Sequence, residues 1–332
     1  MIFHPPILAL VLASMISTLT VLWAAWFALR VLRHWQPSSG HALQINMEKR
    51  TYLVSTALTF VLLLELASLL LFVSNADQMA VMFVGAMCAV GTLSVNAYGI
   101  PTLLLKLVMF FLALVWLVIN QIDNKAPDYP FTKLKYAILL FLAPLVVVGA
   151  ATQLTYFLNL ETDTITSCCS LAFIPEGGSI TADMSSIPPA PALIMLFGGL
   201  AAMVMLALLA TRIKVVQALY GLASMVFFMT SIAAVISVIS PYVYEQPHHH
   251  CPFCLIKAEY GYIGYWLYLP LFTATGFGMA AGLLGLRNAP DSMGNSFDGV
   301  LKKRIAISVG FYLMFGLVAL IAILKSNLIL IG

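Results

Sequence analysis

The apolar positions of this chain come in long unbroken runs. They follow neither the alternation of a half-buried strand nor the one-sided stripe of a surface helix. About 20 apolar residues carry a helix across the hydrocarbon core of a bilayer. Eight runs reach that length, at about 7–30, 52–74, 101–120, 136–157, 191–211, 215–240, 263–286 and 306–329. Backbone N–H and C=O groups in lipid must be satisfied within the segment, so each run predicts a helix. The short alternating segments of an outer-membrane barrel do not occur. The expected fold is all-α: a polytopic transmembrane helical bundle of about eight membrane-spanning helices.

One further stretch, 79–100, is apolar enough to span, but Gly85, Gly91, Gly99 and Pro101 punctuate it. Counting it as a ninth helix would invert the rest of the chain and put most basic residues on the wrong side. It is read instead as an interfacial helix or a re-entrant turn, which survives only where protein or a wet cavity satisfies its backbone.

Composition sharpens this picture. Of 332 residues, 62% are hydrophobic and 9% charged, against about 45–50% and about 25% in soluble domains. A soluble globular protein, a disordered chain and a nucleic-acid binder are excluded, and the bilayer is the first partner. The connections carry Arg30, Arg33, Lys49 and Arg50; Lys125, Lys133 and Lys135; Arg212 and Lys214; and Arg287, Lys302, Lys303 and Arg304. These thirteen of the sixteen basic residues fall on one side. Lys106, Lys257 and Lys325 lean toward the other. By the positive-inside rule the basic side is cytoplasmic, and both termini lie outside. No basic residue precedes the first apolar run, so it reads as an anchor with its N-terminus out and not as a cleaved signal. In a bacterium the chain would sit in the inner membrane with its outer loops in the periplasm.

The chain reads as a single integral membrane domain, 1–332. Its halves, 1–157 and 191–332, would hold four helices each, joined by the outer loop 158–190. Cys88 is followed by Ala97-Tyr98-Gly99, and Cys254 by Glu259-Tyr260-Gly261, each ahead of a helix running inward. This is the weak mark of a parallel repeat of the kind transporters use. No Walker or dinucleotide fingerprint is present, so no nucleotide-binding domain is expected.

The chemistry concentrates on the outer side. All five cysteines fall there: Cys88, the vicinal pair Cys168 and Cys169, and Cys251 and Cys254 in His-His-His-Cys-Pro-Phe-Cys. Two residues between cysteines let both sulfurs approach across one turn. Next to a helix N-terminus the first thiolate would be stabilised and nucleophilic. His248, His249 and His250 could accept its proton or add positive potential. Cys251 would then attack, Cys254 resolve, and Cys168–Cys169 exchange with an outer partner.

An outer-face CxxC, a second cysteine pair and a helical bundle together resemble the quinone-linked membrane disulfide oxidoreductases of the DsbB and VKOR type. The likeness covers Cys251, Cys254, Cys168 and Cys169. It implies thiol–disulfide oxidoreductase activity, a quinone as electron acceptor and a periplasmic redox protein as partner.

Two other readings use the same residues. A soft-metal site for zinc or copper would draw on His248, His249, His250, Cys251 and Cys254, with a metal-carrier protein as partner. Met79, Met82 and Met87 would favour copper(I), and are otherwise packing residues. Alternatively the cysteines are structural staples of a non-catalytic anchor subunit in a periplasmic redox complex, with Cys88 a small buried core residue. Covalent c-type haem is not expected, because Leu255 follows the second cysteine. No histidine lies deep in a predicted span, which leaves only His4 with one of His248–His250 as surface haem ligands.

Two ionisable residues fall inside the spans, Glu65 and Lys106. They lie about nine and about five residues from the outer ends, so at 1.5 Å per residue their depths differ by roughly 6 Å. They could contact each other, line a proton path or hold a quinone head group. Lys106 could also snorkel alone to the interface. Tyr260, Tyr262, Tyr265, Trp266 and Tyr268 read as an interfacial aromatic belt.

Overall fold

In the computed structural model the chain is all-helical, with no strand among the described residues. These are 4–35, 42–126, 128–161, 164, 166, 180–287, 289–290 and 292–330. Among the described residues eight helices are long and apolar enough to cross a membrane, consistent with an integral, multi-pass membrane protein. They are α1 (Pro5–His34), α2 (Ala42–Gln78), α3 (Gly99–Asp123), α4 (Thr132–Leu158), α5 (Pro189–Ala210), α6 (Lys214–Ala234), α7 (Ile263–Gly285) and α8 (Asn295–Lys325).

The first four helices run past both ends of the apolar runs that predict them, and α8 starts well before its run. α2 starts ten residues before its run and takes in Glu48, Lys49 and Arg50; α8 takes in Lys302, Lys303 and Arg304. Hydropathy marks the stretch that suits lipid, whereas helix ends are set by caps and breakers. α1 begins where Pro5 takes the first helical position, which needs no N–H donor. The 79–100 stretch is not a ninth long helix. It breaks into a 3₁₀ turn (Met79–Met82), a loop and a short helix (Ala89–Leu93) before α3 begins.

The chain divides into two compact units. The first comprises 1–75, 93–161 and 289–297; the second comprises 76–92, 162–288 and 298–332. In the first, α4 packs against both α1 and α3. Its core holds Phe27, Leu58, Trp116, Tyr136 and Leu139, with the Phe27 and Tyr136 rings edge to face at 5.7 Å.

In the second unit, α6 packs against both α5 and α7. At the α6–α7 crossing, a Cβ on Gly221 would come within 2.7 Å of the Gly282 Cα, so only glycine permits that approach. Hydroxyls bridge the helices further along. Tyr220 donates to Ser308 Oγ at 2.9 Å, and Ser308 donates to the Ala274 carbonyl at 2.7 Å. α6 does not stop at Ala234. It passes through one π-helical turn (Val235–Ile239) into a last turn, Ser240–Tyr244, closed by Glu245 in the left-handed region. Such π turns free carbonyls from the regular ladder and recur near functional sites.

Candidate functional site

Two loops of the second unit build the site. One follows α2 and carries Cys88; the other follows the π turn and carries Cys251 and Cys254. The first loop turns at Gly85, whose φ of +88° a side chain would strain, and where a Cβ would collide with the Thr166 carbonyl. The Thr166 N–H donates to the Val84 carbonyl at 2.9 Å. The backbone then brings Cys88 to the start of the short helix Ala89–Leu93.

Asp77, Lys257, Met87 and Ala89 tie the two loops together around Cys88. Asp77 Oδ1 accepts the Ala89 N–H at 3.2 Å and lies 3.9 Å from the Lys257 ammonium. Lys257 in turn donates to the Met87 carbonyl at 2.5 Å. One lysine and one carboxylate therefore grip the residues on either side of Cys88.

The second loop is held from behind. Tyr244 donates to the Cys251 carbonyl at 2.5 Å, and Tyr268 to the Pro252 carbonyl at 2.6 Å. His250 Nδ1 lies 3.0 Å from the Ile236 carbonyl, an oxygen of the π turn, which makes that nitrogen the donor. Burial pushes the His250 imidazole below its ordinary pKa, partly opposed by that hydrogen bond.

The three sulfurs that these ties position converge. Cys88 Sγ is 3.5 Å from Cys251 Sγ. The sulfurs of Cys88, Cys251 and Cys254 all lie within 4.8 Å of one another. All three residues are thiols and all are buried: Cys88 and Cys251 have no exposed surface, and Cys254 has 6%. No protein-family model matches the chain, and neither do any curated protein or any solved structure. The site's chemistry is therefore read from its atoms.

A zinc–sulfur bond is about 2.3 Å, so thiolates sharing one ion stand about 3.8–4.0 Å apart. The observed 3.5 Å contact and the 4.8 Å envelope bracket that spacing. Three converging sulfurs are a ligand set for zinc, copper(I) or another soft ion. Cys88 and Cys251 are also near enough to become a disulfide after a small shift, since a disulfide needs its sulfurs about 2.05 Å apart.

Among the described residues the cluster consists of these three cysteines, and no histidine joins it. His248 is exposed, while His249 lies against Tyr244 with ring centroids 4.3 Å apart. Met79 is buried; Met82 and Met87 are exposed. Cys168 and Cys169 lie outside the described residues. The expected helix N-terminus at the CxxC is not there. Cys254 opens a single 3₁₀ turn and α7 begins only at Ile263, so the CxxC does not sit on the first turn of α7.

Sequence reasoning gave Cys88 no partner, although 163 positions separate two sulfurs that nearly touch. The signal available was that Cys88 and Cys254 each precede a Tyr-Gly and a helix, by ten and six residues to the tyrosine. Tyr268, read as part of the belt, also reaches back into the CxxC loop.

The intramembrane pair belongs to the first unit. Lys106 donates to Ser68 Oγ at 2.9 Å, and Ser68 donates to Glu65 Oε2 at 3.3 Å. Lys106 also lies over the Phe72 ring, 5.7 Å from its centroid. The two ionisable residues are thus linked through a serine. A second buried pair went unnoticed in the sequence, Asp123 with Lys135 at 2.8 Å.

Proposed function

We propose that the chain is a membrane metal-handling protein that binds one soft cation, zinc or copper(I), through Cys88, Cys251 and Cys254. The convergence of three buried sulfurs within 4.8 Å carries this reading. Burial supports it too. A thiol that exchanges disulfides with a protein partner must be reached by that partner, and Cys251 has no exposed surface. A metal ion is small enough to enter where a protein is not. In this proposal the basic connections face the cytoplasm. The cysteine-bearing loops then face outward, in a bacterium toward the periplasm, where a metal carrier delivers or collects the ion.

One observation favours a second reading, thiol–disulfide electron transfer: the 3.5 Å approach of Cys88 to Cys251. There two thiols would form an S–S bond, passing two electrons and two protons to a quinone or to a partner's disulfide. The histidine ligands considered from sequence are not needed in either reading.

The experiment is metal analysis with thiol counting on the detergent-purified full chain. The metal reading expects one zinc or copper per chain. That ion should be lost in Cys88→Ser and in Cys254→Ser, and kept when His248, His249 and His250 are all replaced by Ala. Metal-free protein that takes up neither ion while its thiols are reduced overturns it. A Cys88–Cys251 disulfide that opens under mild reductant, in protein that binds no metal, moves the assignment to electron transfer.

A further inference from the structure

Near the basic ends of α1 and α2, within the first unit, the two helices enclose a groove of about 370 Å³. That is within the range of small-ligand sites, about 300–1,000 Å³. The groove has two kinds of wall. Arg30 on α1 and Arg50 on α2 line it together with Trp23, Trp26, Phe27 and Leu53. Trp23, Trp26 and Leu53 keep more than half of their surface exposed. Trp23 precedes Arg30 by seven residues, so the apolar wall runs about 10 Å along α1 from the guanidinium.

The charges here are unbalanced. Among the described residues neither Arg30 nor Arg50 belongs to an ion pair. The acidic residue nearest Arg50 in sequence, Glu48, accepts a hydrogen bond from Gln44 at 2.9 Å. Arg30 instead sits over the Trp26 ring, 5.8 Å from its centroid, which holds the guanidinium at the groove. Arg33 and Lys49 add further positive charge close by in sequence.

We propose that this groove binds one anionic phospholipid. Its phosphodiester would lie between Arg30 and Arg50, and an acyl chain would lie along Trp23, Trp26 and Leu53. Guanidinium groups pair with phosphate oxygens in a two-pronged geometry that suits this headgroup. Basic pockets between membrane helices on the cytoplasmic side select anionic lipids in this way. The groove offers no carboxylate among its lining residues to hold the ammonium of a zwitterionic lipid. Selection for net negative charge follows. This site is independent of the thiol cluster and of the metal reading.

The test is native mass spectrometry of the detergent-purified full chain, with equal amounts of phosphatidylglycerol and phosphatidylethanolamine of matched acyl chains. One retained phosphatidylglycerol is expected, preferred by about tenfold. The double variant Arg30→Gln/Arg50→Gln should erase the preference. Arg212→Gln/Lys214→Gln, at a different helix end, should leave it intact. A wild type that retains both lipids equally overturns the proposal, as does a double variant that still prefers phosphatidylglycerol. Should the double variant fail to fold, a phosphatidylglycerol carrying a photoreactive acyl chain decides the matter on the wild type. Cross-links within 23–30 and 50–54 support the site, and cross-links confined to other segments overturn it.

Discussion

At the junction of α3 and α4, Asp123 and Lys135 meet at 2.8 Å with almost no exposed surface. Every oxygen of that carboxylate is engaged. Oδ1 accepts the Phe131 N–H at 2.7 Å, Oδ2 accepts the Thr132 hydroxyl at 3.0 Å, and Lys135 also donates to Asn120 at 3.0 Å. In the second unit the Cys88, Cys251 and Cys254 cluster is just as buried but gathers three donor atoms of one kind. The first arrangement neutralises itself, whereas the second turns three sulfurs toward one another, the spacing on which the proposed soft-cation reading rests. A buried charge pair closed on itself is accounted for by the fold, because each charge has its partner.

The largest expected effect breaks the closed cluster. Lys135→Met leaves the Asp123 carboxylate buried without its counter-charge, a change that costs about 3–5 kcal/mol. Thermal unfolding in detergent should show a marked loss of stability. Asp123→Asn/Lys135→Met should recover most of it, because no charge then remains buried. If Lys135→Met proves as stable as wild type, the pair is not what holds that junction.

The contrast also explains what the sequence could reveal. Each of the eight long helices announces itself, because spanning a bilayer demands a run of about 20 apolar residues that no local context can hide. The charges within spans were legible at Glu65 and Lys106, where an apolar background exposes them. Lys135 was not. It lies beside Lys133 at the end of a run, where snorkelling lysines are ordinary, and Asp123 is twelve positions away across a turn. The CxxC announced its own chemistry, but its third sulfur did not. Cys88 joins Cys251 only because the loop that carries it turns at Gly85 and is gripped by Asp77 and Lys257, contacts that no local pattern encodes.

The next effect in size tests that turn. Gly85→Ala puts a Cβ into the Thr166 carbonyl at a φ of +88°. Strain of this kind costs about 1–3 kcal/mol. It should lower the unfolding temperature less than Lys135→Met does. The same substitution should weaken metal binding, since the turn sets where Cys88 arrives. An alanine variant with unchanged stability and unchanged metal affinity would separate the turn from the site.

The smallest effect isolates the grip from the fold. Lys257 is 24% exposed and Asp77 20%, so water screens their attraction and Lys257→Met should leave the unfolding temperature nearly unchanged. The bond from Lys257 to the Met87 carbonyl is a different matter, because it fixes the residue before Cys88. Groups that orient metal ligands without touching the metal change affinity by about 10–100-fold when removed. Lys257→Met should therefore bind the soft cation about tenfold more weakly, at an unchanged ratio of one ion per chain. A competing chelator of known affinity measures the difference. Lys257→Arg, which keeps a donor on a long side chain, should restore part of the affinity. If Lys257→Met binds as tightly as wild type, Cys88 is held by the Asp77 contact to Ala89 alone, and the three sulfurs converge without help from the second loop's lysine.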